Sequence, residues 1–109
     1  MEKMSYRVTH ISGEMEIDYP MSKFEQLLAE LDHADREHLD VSVAHGSEWT
    51  LSVYGGGMVL LENVETGDSF HSDGLERNDI LERMRATAKG DIDRLRASYG
   101  WLQGYPSRT

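Results

Sequence analysis

The 109-residue chain contains no cysteine. That absence excludes disulfide scaffolds, thiol nucleophiles, cysteine-type zinc sites and iron–sulfur clusters together, and leaves packing to hold the fold. Proline occurs only twice and there is no low-complexity run. With 39% hydrophobic and 28% charged residues, the composition is that of a folded protein rather than a disordered tail, and the length suits one domain. Long apolar runs are also missing: the longest is Met58 to Leu61, far short of the roughly 20 residues that cross a bilayer. Glu2 and Lys3 open the chain with no apolar stretch ahead of a cleavage site, so no secretion signal is read and a cytoplasmic location is expected.

Basic residues are scarce. Eleven stand against twenty acids, for a formal charge of −9. Residues 1–76 hold sixteen acids and four bases, whereas residues 77–109 carry a net +3. Nucleic acids and anionic membranes bind proteins through Lys and Arg, so neither is an expected partner. The carboxylates either form a solvated surface that keeps the protein monomeric, or present an acidic face to a basic protein, and the two readings are compatible.

The hydrophobic pattern predicts an α+β fold. Tyr6 to His10 and Glu14 to Tyr19 both alternate, with Ser12-Gly13 as turn residues, which reads as an N-terminal β-hairpin. In its second strand Met15, Ile17 and Tyr19 would share the inner face, leaving Glu14, Glu16 and Asp18 as a row of carboxylates towards solvent. Ser22 with Glu25 makes a candidate capping box for a helix from about Lys23 to Leu31. Three strand-like runs follow, Leu39 to Ala44, Trp49 to Tyr54 and Met58 to Val64, with a short fourth at Asp68 to His71. Short loops predict an antiparallel meander, with Trp49, Leu51 and Val53 on a buried face. Asn78 is a candidate cap for a helix ended by Gly90, and Asp91 for a last short helix, both packing with the first on one face of the sheet. The tail from Gly100 to Pro106, with Trp101 and Tyr105, is expected to dock on the body.

Candidate chemistry is sparse. Gly55-Gly56-Gly57 lies between two strands, so a hairpin turn fits better than a phosphate cradle, which requires a following helix N-terminus. His33 and His38 lie among Asp32, Asp35, Glu37 and Asp40. Their spacing of five puts them on different sides of a helix, so no metal site is expected. His71, with Asp73 two residues on, would suit a general base held by a carboxylate, and the fold could bring His45 or Ser47 near, but no nucleophile motif accompanies them. No cofactor is expected.

The strand Glu48-Trp49-Thr50-Leu51-Ser52-Val53, the glycine turn, Val59-Leu60-Leu61-Glu62-Asn63 and the helix from Ile80 to Ala88 resemble small bacterial immunity proteins of polymorphic toxin systems, especially the first-numbered immunity family. The ending, from Gly90-Asp91-Ile92-Asp93 through Gly100-Trp101-Leu102-Gln103-Gly104-Tyr105, is similar to small actinobacterial proteins. The resemblance spans roughly 60 residues and is one of pattern. It implies a non-enzymatic cytoplasmic protein that binds a cognate toxin domain, often a nuclease or deaminase, and blocks it. Toxins of that kind tend to carry basic clefts. The candidate contacts are therefore Glu14, Glu16 and Asp18 of the hairpin, or Glu62, Glu65, Asp68 and Asp73 around the meander, with Tyr54 or Trp101 as an aromatic anchor. The alternatives are an interaction or regulatory module, dimerising weakly through its sheet edges, and a small hydrolase built on His71 and Asp73.

Overall fold

A computed structural model describes residues 5–98 and 100–106, so that Glu2 and Lys3 lie outside the described residues. Seven antiparallel strands form one sheet in the order β2-β1-β3-β4-β5-β6-β7. They are β1 (Tyr6–Thr9), β2 (Met15–Ile17), β3 (Asp40–His45), β4 (Trp49–Tyr54), β5 (Met58–Asn63), β6 (Ser69–Ser72) and β7 (Leu102–Gln103). Helices α1 (Phe24–Ala29), α2 (Arg77–Lys89) and α3 (Ile92–Arg96) pack on one face, giving the α+β architecture that the pattern predicts.

Register explains which face is covered. Val8, Val43, Leu51 and Leu61 stand side by side across β1, β3, β4 and β5, and all four are fully buried. Phe24, Leu27 and Leu28 of α1, Ile80, Leu81, Met84 and Ala88 of α2, and Leu95 of α3 close over this side in one cluster. Each large side chain removed from water here contributes about 2 kcal/mol. Gly90 ends α2 in the left-handed region at φ 75°, with its own N–H and that of Asp91 capping the last carbonyls. A Cβ at Gly90 would lie 2.6 Å from Cε1 of His45, so the bare glycine also lets the helix end rest on the β3 terminus.

Several local expectations are corrected. The hairpin loop is Ile11-Ser12-Gly13, closed by His10 and Glu14, one residue longer than the two-residue turn that Ser12-Gly13 suggests. A two-residue loop would have paired Val8 with Ile17 and put both in the core. The longer loop pairs Val8 with Glu16 instead, and one step of register turns every side chain of β2 over. Met15 and Ile17 consequently face away from the helices, and both are exposed. Asp18 adopts φ 56°, which breaks the alternation and lets Tyr19 reach the core against Phe24. Ser22 lies within a 3-10 turn, Met21–Lys23, and makes no cap to α1. Glu76, not Asn78, occupies the N-cap of α2, and Asp91 holds the N-cap of α3 without a side-chain bond. The tail does dock, and does so by adding β7 to the sheet beside β6.

Candidate partner-binding face

The three helices leave the opposite face of the sheet uncovered. Register places Met15, Thr9, Ser42, Ser52, Leu60, His71 and Leu102 in one row of it, and Ile17, Arg7, Ala44, Thr50, Glu62 and Ser69 in the next. Ala44, Ser52 and Leu60 are buried on this face although none of the described helices lies above them. Large apolar side chains open to water lie towards its two edges, Met15 and Ile17 on β2 and Leu102 on β7 with Tyr105 just beyond it.

Two tyrosines and two carboxylates give this face its chemistry. The Tyr105 hydroxyl donates to Glu62 Oε2 at 2.6 Å, and that bond, with the Glu62 charge, raises the phenol's pKa. Tyr54 is half-buried and stands between Asp40 on β3 and Met58 on β5. Its pKa is raised by burial first, then by the negative charges of Asp40 and Glu62. Burial also lifts the Asp40 carboxyl, an effect that a hydrogen bond from Ser52 opposes. Apolar rings, phenolic oxygens and carboxylates on one face suit a guanidinium or ammonium group, whose stem packs on the rings while its head meets the acids.

The other expected contacts are dispersed. Glu62 lies on the uncovered face, but Glu65 and Asp68 belong to the β5–β6 loop, where Asn63 Oδ1 accepts the N–H groups of Glu65 and Thr66, and Thr66 donates to Asp68. Asp73 lies beyond the opposite end of β6 and accepts the Gly74 N–H. Trp101 is not brought beside Tyr54. It lies on the helix side, its indole N–H donating to the Leu95 carbonyl at 2.8 Å and its ring 4.7 Å from the Arg83 guanidinium carbon.

The hairpin carboxylates Glu14, Glu16 and Asp18 are all exposed, as expected, but Glu16 also reaches across to His10. His10 Nε2 lies 2.6 Å from Glu16 Oε2 and Nδ1 lies 2.7 Å from Glu30 Oε2, tying β2 through β1 to the 3-10 turn Glu30–His33. Glu30 accepts the Ile11 N–H as well, and the imidazole meets Tyr19 edge-on. Burial works against protonation of His10, but the hydrogen bonds to Glu30 and Glu16, helped by their charges, outweigh it and raise the pKa. A ring that donates on both sides is an imidazolium. Because the folded value is raised, the clamp's stabilisation is complete below the ordinary 6.5 and is lost as pH climbs through the folded value. The melting temperature of the native protein is therefore expected to fall as pH rises above 6.5, and to fall more than that of His10→Gln. Parallel pH profiles for the two proteins would refute the clamp.

The histidine constellations are occupied locally. His71 Nδ1 donates to the Gly104 carbonyl at 2.7 Å and so fastens the tail, while the Asp73 carboxylate is spent on Gly74. His45 Nδ1 accepts from the Ser47 hydroxyl and N–H on the helix side, away from His71. His38 pairs with Asp35 at 3.0 Å, and among the described residues no three His, Asp or Glu side chains gather as a metal site. No helix among them is long and apolar enough to cross a membrane.

Asp40, Tyr105, Leu60 and His10 escaped the sequence reading. Asp40 closes a polar stretch, Leu60 sits in a continuous apolar run, and nothing in a seven-residue tail announces that it will curl back to Glu62. Only the alternation Tyr54–Ser52, opposite Val53–Leu51, signals the uncovered side. No family model matches the chain, and comparison with curated proteins and with solved structures returned no match.

Proposed function

We propose that this chain is a non-enzymatic immunity-type protein that binds a basic bacterial toxin domain, of nuclease or deaminase type, in the cytoplasm and masks its active cleft. The observation that carries the reading is the uncovered sheet face, on which Asp40 stands opposite Tyr54 and Tyr105 donates to Glu62. Its acids suit a cleft built to hold phosphate. Its apolar and aromatic side chains supply the area from which affinity arises. The formal charge of −9 supports it from a distance, because a protein of that charge approaches a cationic partner faster than diffusion alone brings neutral molecules together. The engagement of His71 and Asp73 with Gly104 and Gly74 weighs against the hydrolase alternative.

The test is co-expression and pull-down with the C-terminal domain encoded immediately upstream, followed by association kinetics over a salt series. Tight, salt-sensitive binding that rescues cells is expected. Replacing Asp40 and Glu62 together by lysine is expected to slow association about tenfold or more and to flatten its salt dependence. An unchanged rate and slope in that double variant would remove this face from the reading.

A further inference from the structure

A second surface lies at the margin of the sheet. We propose that the outer edge of β2 accepts an extended segment of a partner protein as an additional strand, one whose residues alternate between basic and apolar. This goes beyond the toxin reading: it concerns a different element and holds whichever protein supplies the segment.

The main chain carries the first part of the argument. β2 is the terminal strand, and among the described residues none pairs with its outer side. The His10 N–H donates to the Glu14 carbonyl and the Asp18 N–H donates to the Tyr6 carbonyl, while Glu16 stands opposite Val8. In an antiparallel ladder the inward bonds fall on alternate residues, so Glu14, Glu16 and Asp18 turn their main chain towards β1. Met15 and Ile17 therefore direct N–H and C=O outwards, which is the arrangement that β-strand addition uses.

The side chains define the occupant. Met15 is 56% exposed and Ile17 74%, and both lie on the uncovered face. Exposed edges are normally defended by charge, proline or a bulge. Here the defence is one-sided: on the other face stand Glu14 and Glu16, the latter held in place by His10, which Glu30 grips from behind. A second copy of the chain meets that defence directly. In an antiparallel pairing of two β2 edges centred on Glu16, the two Glu16 carboxylates oppose each other and Glu14 opposes Asp18. A strand with lysine or arginine on the carboxylate side and aliphatic residues over Met15 and Ile17 answers both faces at once. Self-pairing is thus repelled while a cationic alternating strand is attracted.

The experiment titrates the full chain with a capped hexapeptide alternating lysine and valine, followed by amide NMR. Expected are shifts and slowed exchange at Met15 and Ile17, no such effect from the glutamate–valine counterpart, and loss of binding when the lysine–valine peptide is N-methylated on its inward-facing amides. Ile17→Pro removes an outward donor without touching a β1–β2 bond and is expected to weaken the peptide at least tenfold. The N-methyl peptide gives the same answer without any variant, should the hairpin fail to tolerate proline. Shifts confined to Tyr54 and Glu62, equal binding of the acidic peptide, or concentration-dependent shifts at Met15 and Ile17 without peptide would each overturn the proposal, the last in favour of a second copy.

Discussion

Gly57→Ala is expected to destabilise the protein by about 3 kcal/mol, whereas Gly55→Ala leaves stability within about 0.5 kcal/mol. The three glycines look equivalent in sequence and are not. Gly55 has no positive φ and open space around it. Gly56 has φ 80° with open space, so alanine there meets only the left-handed backbone penalty of about 1 kcal/mol. Gly57 has φ 81°, and its added Cβ would lie 2.7 Å from the Leu75 carbonyl oxygen and 2.9 Å from the Leu75 nitrogen. Those are backbone atoms and cannot swing aside. The Leu75 N–H also donates to the Gly57 carbonyl at 3.0 Å, so the clash strikes a contact that ties the β4–β5 turn to the loop leading into α2. Urea unfolding of the three alanine variants tests this ordering. Equal losses at Gly56 and Gly57 would show that the close approach costs nothing and that only the backbone sign matters.

In the proposed complex with a toxin domain, Tyr54→Ala is expected to weaken binding by about 2 kcal/mol or more, roughly thirtyfold, mainly through faster dissociation. Tyr54 is half-buried on the uncovered face, between Asp40 on β3 and Met58 on β5. Anchors of that kind carry interface energy because their rings are already ordered before the partner arrives. Tyr54→Phe separates the ring from its hydroxyl. A variant that keeps most of the affinity identifies packing as the dominant contribution, and one that loses it identifies the hydroxyl and its acidic neighbours. Trp101→Phe serves as the contrast: it breaks the bond to Leu95 on the helix side and is expected to lower the melting temperature while leaving affinity unchanged. Affinity that falls with Trp101→Phe and not with Tyr54→Ala would place the interface on the helix side of the sheet and reject the assignment.

Much of this architecture follows from local chemistry. The alternation of Trp49, Leu51 and Val53, the glycine turn, and the spacing of Ile80, Leu81, Met84 and Ala88 up to Gly90 each specify an element within a few residues of chain. Such features are legible because periods of two and of 3.6 are set by backbone geometry alone. The absence of cysteine and the excess of acid likewise need no fold to be read. The candidate site belongs to another class of fact. Whether Glu16 shares a face with Val8 and His10 or lies on the uncovered side depends on one residue of hairpin loop length, because strand pairing transmits a single step of register to every side chain beyond it. The encounter of Tyr105 with Glu62, separated by 43 positions, depends on a tail strand of two residues that has no period to detect. Asp40, Tyr54 and Glu62 reach one surface through the pairing of β3, β4 and β5 and through the packing of all three helices on the other side. Local propensity determines what an element is; which of its faces is left bare is decided by long-range pairing, whose free energy no single segment contains.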